Sequence, residues 1–115
     1  MMVQRSLEAA RAIESKGVSV EVIDLRTLNP LDTDAILNSV RKTGKVLIAH
    51  EDTLTGGFGA EIAAIIGGEA FARLDAPIKR VAAKDCPVPY GPTLENAMLP
   101  QTTDIVAALE QLASF

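Results

Sequence analysis

The chain has no tryptophan, one tyrosine, three phenylalanines, one cysteine and one histidine. With so few large rings, any core must be filled by alanine, valine, isoleucine and leucine, and the hydrophobic share of 48% is ample for that. A single cysteine forms no internal disulfide, so a disulfide-stapled secreted scaffold is excluded and a reducing compartment is expected. Clustered basic charge is also missing. Eleven Lys and Arg are scattered among fifteen Asp and Glu, for a net charge of -4. A nucleic-acid footprint needs a basic face, and none is offered. No apolar run reaches membrane-span length, and the first seventeen residues hold no signal-peptide core. Internal repeats and low-complexity tracts are absent as well. A soluble protein of one domain over residues 1–115 is the expectation.

What is present has a rhythm. Leu7, Ala10 and Ile13 predict a helix over Ser6–Lys16 that Gly17 stops. Val18, Val20, Val22, Ile23 and Leu25 predict a buried strand. Pro30 turns the chain, and Asp32 caps a second helix with Ile36, Leu37 and Val40 on its inner face. Lys42 and Gly44 end that helix. Val46–His50 reads as a second strand, Thr53–Gly57 as a loop, and Phe58–Leu74 as a third helix with Ile62, Ile65, Ile66 and Phe71. Gly67–Gly68 costs that helix about 1 kcal/mol per glycine, so a break is expected there. Ile78–Ala82 is a third strand. Pro87, Pro89 and Pro92 extend the chain, Thr93–Leu99 makes a turn or two of helix, and Thr103–Ala113 closes it with Ile105, Ala108, Leu109 and Leu112. Strands separated by helices imply a parallel sheet with helices on both faces. Such a domain ordinarily starts on a strand, whereas this chain opens on a helix.

Chemistry-bearing groups are few. His50 and Glu51 stand at the carboxyl end of a predicted strand, where open α/β sheets place ligands. Catalysis by His50 needs an orienting partner that the sequence does not identify, and packing at a strand end is the favoured reading. Gly56, Gly57 and Gly59 open a helix without the spacing of a phosphate or dinucleotide loop, so close helix–strand packing is the better explanation. Cys86 has no second cysteine and is expected to be a buried or half-buried structural thiol. Lys79–Arg80 and Lys84–Asp85 read as solvated strand ends. No catalytic, cofactor-binding or metal-binding set is complete.

Three blocks in order carry a resemblance. Val22-Ile23-Asp24-Leu25-Arg26-Thr27-Leu28-Asn29-Pro30-Leu31-Asp32 is the first and His50-Glu51-Asp52-Thr53-Leu54-Thr55-Gly56-Gly57-Phe58-Gly59 through Ala64 the second. Leu74 to Val81 with Pro87-Val88-Pro89-Tyr90, Leu94-Glu95 and Leu99-Pro100 make the third. Together they resemble the transketolase C-terminal domain, as found in beta subunits of thiamine-dependent 2-oxoacid dehydrogenases. Deoxyxylulose-phosphate synthases share the first two blocks more loosely, and the third points to the dehydrogenases. His-Glu-Asp-Thr followed by Gly-Gly-Phe-Gly, and Pro-Tyr-Gly-Pro-Thr-Leu-Glu, lean toward the branched-chain (2-oxoisovalerate) type, with the pyruvate and acetoin types and an independent anion-binding module as alternatives.

The resemblance implies a three-layer α/β/α fold with a mostly parallel sheet, and a whole enzyme that is an α2β2 heterotetramer. That enzyme decarboxylates a 2-oxoacid on thiamine diphosphate with Mg²⁺, then acylates the lipoyl group of a dihydrolipoyl acyltransferase. The catalytic and cofactor residues would lie outside this chain. Its own tasks would be beta–beta association, contact with the alpha subunit, and docking of the acyltransferase's subunit-binding domain. Phe115, Glu110 and Asp75 are the docking candidates, and His50, Glu51, Gly56 and Gly57 the strand-end interface motif. Bacterial cytoplasm or, secondarily, the mitochondrial matrix would be its place. Family members have further strands before the first helix. Their lack here implies a fragment, direct pairing of Val18–Leu25 with Val46–His50, or association with another chain.

Overall fold

A computed structural model describes residues 1–115. Helix α1 spans Met2–Glu14, α2 Thr33–Thr43, strand β1 Leu47–Thr53, α3 Gly59–Glu69, β2 Lys79–Ala83, α4 Pro92–Met98 and α5 Thr102–Ala113. β1 and β2 pair in parallel, Leu47 beside Lys79 and Ala49 beside Val81. Helices α2 and α3 cover one face of this pair, and α1 and α5 the other. The layers are therefore α/β/α, around a sheet of two strands.

Local chemistry explains the α2 boundaries. The Asp32 carboxylate accepts from the Ala35 amide at 3.0 Å, satisfying a donor that the first helical turn leaves free. Gly44 ends the helix at φ 70°, a left-handed conformation open to glycine at little cost. Ile36, Leu37 and Val40 all point inward and meet Ile48, Ile62, Ile66 and Ala70. On the other face α5 runs parallel to α1. Thr102 donates to Glu8 at 2.9 Å, and Lys16 pairs with Glu110 one helix length on. Ile13 and Ile105 are sealed in that layer, each contributing about 1.5–3 kcal/mol by its burial.

Several expectations need correction. Val18–Leu25 is not a strand: Val18 to Asp24 make no backbone–backbone hydrogen bond and join no sheet. The direct pairing with Val46–His50 therefore does not occur. Val18, Val20 and Val22 are half-buried and Ser19, Glu21 and Ile23 exposed, so the segment keeps a strand's two-residue alternation without a partner. The first helix starts at Met2, and its inner face is Met2, Ala9 and Ile13, while Leu7 is exposed. Gly67 and Gly68 stay helical. The break falls at Ala70, before a single 3₁₀ turn at Phe71–Arg73 that leaves Phe71 76% exposed. Cys86 is exposed rather than buried. Lys79 and Arg80 are half-buried within β2, and only Lys84 and Asp85 are solvated.

Only 21 of the 115 residues are buried. The surface of 7204 Å² exceeds the roughly 6,100 Å² of a compact folded chain of 12.2 kDa. A cleft of about 820 Å³ opens between Val18–Leu25 and β1.

Candidate functional site

β1 delivers His50, Glu51 and Asp52 to the carboxyl end of the sheet, inside the strand rather than in the loop after it. The loop that follows is held by β2 and its continuation. Arg80 donates to the Leu54 carbonyl at 2.9 Å, and Asp85 accepts from the Thr55 amide at 3.0 Å and the Thr55 hydroxyl at 2.6 Å. Those two Thr55 bonds, hydroxyl first, hold the Asp85 carboxyl below the usual carboxylate range. A loop fixed this way sets where α3 begins.

That beginning lies directly over His50. A Cβ at Gly57 would stand 2.8 Å from the His50 ring and collide with the Thr53 carbonyl, and one at Gly59 would enter the imidazole itself. Glycine at both positions lets the helix start close onto the ring. Gly56, at φ 76° with open space around it, supplies the left-handed turn instead.

Both His50 ring nitrogens are buried without a hydrogen-bond partner. Burial pushes the imidazole pKa below its ordinary 6.5, and Arg80 adds to this while Asp52 opposes it. A neutral ring under two glycines is placed to pack. Glu51 instead turns outward, its carboxylate 3.6 Å from the chain's terminal amine.

Beside this lies a cleft of about 810 Å³. Leu28, Asn29, Leu31 and Thr33 form one wall, and Asp52, Gly56–Phe58, Ala60 and Glu61 the other. The first two sequence blocks, remote along the chain, thus face each other at the sheet's carboxyl edge. Nowhere do three His, Cys, Asp or Glu side chains converge with the spacing of a metal site.

The docking candidates fall in two places, α5 with its end and the turn before β2. Phe115 is exposed at the end of α5, Glu110 is engaged by Lys16, and the Asp75 amide donates to the Gly44 carbonyl at 2.7 Å.

The family description "Transketolase, C-terminal domain" matches residues 1–105. The chain belongs to the transketolase C-terminal domain family. Among similar proteins, "Pyruvate dehydrogenase E1 component subunit beta" of Rickettsia bellii is 44% identical over 112 residues, covering 97% of this chain and 34% of that protein. "2-oxoisovalerate dehydrogenase subunit beta" of Bacillus subtilis is 45% identical, covering 100% and 36%. The mitochondrial pyruvate dehydrogenase E1 beta subunit of Saccharomyces cerevisiae is 46% identical, covering 97% and 31%. This transketolase C-terminal domain thus spans about a third of the length of the relatives it matches.

Proposed function

We propose that this chain is the assembly domain of the beta subunit of a 2-oxoacid dehydrogenase, with the bond-making groups elsewhere in that enzyme. The observation that carries this is the state of its one histidine. Acid–base work needs a nitrogen that reaches substrate, whereas both His50 nitrogens are covered where Gly57 and Gly59 close over the ring. The similar beta subunits of pyruvate and 2-oxoisovalerate dehydrogenases support the dehydrogenase reading.

Thiamine diphosphate with Mg²⁺ would supply the carbon nucleophile that takes up the 2-oxoacid. The residues of this chain do not fit that group, since no cluster of carboxylates, histidines or cysteines is arranged to hold the metal. The proposal places the cofactor in the alpha subunit and the remainder of the beta subunit. This domain's partners are a second beta subunit, the alpha subunit and the acyltransferase's subunit-binding domain, the last met by Phe115, Glu110 and Asp75. Pro89-Tyr90-Gly91-Pro92 favours a branched-chain substrate. Identities of 44% and 45% to pyruvate and 2-oxoisovalerate subunits weigh the two alike. Bacterial cytoplasm is the proposed compartment, with the mitochondrial matrix second.

The test is calorimetry and turnover on the 115-residue chain with thiamine diphosphate, Mg²⁺ and each 2-oxoacid. No cofactor heat and no decarboxylation are expected. Saturable cofactor binding with measurable turnover would overturn the proposal. An anion-binding module would give saturable heat with inorganic phosphate, lost on substituting His50.

A further inference from the structure

The start of α3 is held differently from the starts of its neighbours. α2 begins on the Asp32 cap, and α5 on a capping box between Gln101 and Asp104. α3 has no side-chain cap. Its first turn is closed by the Ala60 amide donating to the Gly57 carbonyl at 3.0 Å and the Ile62 amide to the Phe58 carbonyl at 3.2 Å. The remaining hold is the seating of Gly57 and Gly59 on the His50 ring. Chain on either side is fixed. Arg80 and Asp85 grip Leu54 and Thr55 before the turn, and Ile62 and Ile66 are buried after it. Between those points Gly56 is at positive φ with open space around it, so the turn has a hinge.

The seat suits a neutral ring only. Both His50 nitrogens are buried without a partner, and an imidazolium must donate from both. The positive end of the α3 dipole lies over the ring as well. Of the charged groups on the surrounding elements, Asp52 of β1 draws a proton to the ring and Arg80 of β2 repels it. Glu51 is engaged by the terminal amine, and Asp24 by Arg26. Glu61, the acid in the first turn of α3, is exposed.

An outlet adjoins the seat. The cleft of about 810 Å³ is lined by Asp52, Gly57, Phe58 and Glu61, and neither carboxylate is paired with a cation. The β1–β2 register also shifts between Ala49 and Thr53, so the ladder is irregular where His50 sits.

We propose that His50 is a proton-operated latch on the start of α3. Protonation drives the imidazole from under Gly57 and Gly59 into the cleft, where Asp52 and Glu61 receive it. The Gly56–Gly59 turn then opens, while the sheet and the rest of α3 stay folded. Loss of the proton reseats the ring and closes the turn. The seated ring binds a proton less readily than a free imidazole, so acid favours the open form. From about pH 6.5 downward the open population rises by up to about tenfold per pH unit, until the seated ring itself titrates. This goes beyond the assembly role, and its test reads neither cofactor nor turnover.

The experiment measures amide hydrogen exchange of the 115-residue chain at about pH 7.5 and about pH 5.5, corrected for the intrinsic pH dependence of exchange. Protection of the Ala60 and Ile62 amides should fall about fivefold or more in acid, with Ile66 and Ile105 unchanged. Equal protection at both pH values would overturn the proposal. So would a fall of the same size at Ile66 and Ile105, which is general loosening rather than a latch. In His50→Gln, protection at Ala60 and Ile62 should be the same at both pH values, and a fall as large as the parent's would also overturn it. Should His50→Gln not fold, Asp52→Asn replaces it. Without the receiving carboxylate, opening should begin at lower pH, and an unchanged onset counts against the latch.

Discussion

At the scale of single residues, Gly57 and Gly59 pack directly onto the His50 ring. Gly59→Ala should cost about 1–3 kcal/mol in urea unfolding, because its Cβ enters the imidazole. In a His50→Ala background that cost should fall to a fraction, and an equal cost in both backgrounds would mean the clash is elsewhere. The ring also predicts a pH response. Its folded pKa lies below the ordinary 6.5, so the unfolded chain binds the proton more readily. Stability from this group is full above about pH 6.5, falls as pH drops toward the folded pKa, and is level below it. Urea midpoints at a series of pH values should show the step, and His50→Ala should abolish it. The sequence made the glycine–strand packing legible through spacing alone. It gave no sign that Cys86 is exposed, because a lone thiol carries no pattern and its burial depends on neighbours far along the chain.

At the scale of elements, legibility followed local chemistry. The cap at Asp32, the stop at Gly44 and the inner face Ile36–Leu37–Val40 were all readable, because each is decided within a few residues. Val18–Leu25 was not, since β-branched alternation states what a segment could pair with and not whether the partner is there. Gly67–Gly68 was misread for a related reason. Glycine lowers helix propensity, yet Ile62 and Ile66 bury one face of α3 and hold the helix through both glycines. Propensity lost to packing. A Cβ at Gly67 or Gly68 meets nothing within 4 Å, so Gly67→Ala and Gly68→Ala should each stabilise by about 0.5–1 kcal/mol. A rise of a few degrees in Tm checks this. Ile66→Ala, at the centre of the same face, should cost about 2–5 kcal/mol.

At the scale of the whole molecule, the layers, the sheet's parallel sense and the family could be read from the order of elements and three sequence blocks. The strand count was not, because Val18–Leu25 has a strand's alternation yet joins no sheet, which leaves two strands where three were expected. Surface excess and unpaired strand edges together predict a sticky domain. Sedimentation at rising concentration should show self-association of the 115-residue chain, and a sharp monomer with high Tm would contradict that. Docking through Phe115 and nearby acids predicts salt-sensitive binding of the acyltransferase's subunit-binding domain. Affinity unchanged between low and high salt would count against it. The central claim is that this domain assembles an enzyme whose chemistry lies elsewhere. Its most direct test places His50→Ala in the full beta subunit of the proposed enzyme, assembled with the proposed alpha subunit, and measures kcat per assembled complex. The expected result is a kcat within about twofold of the parent, with any loss confined to the fraction assembled. A tenfold or greater fall in kcat, with assembly and thiamine diphosphate affinity intact, would contradict it.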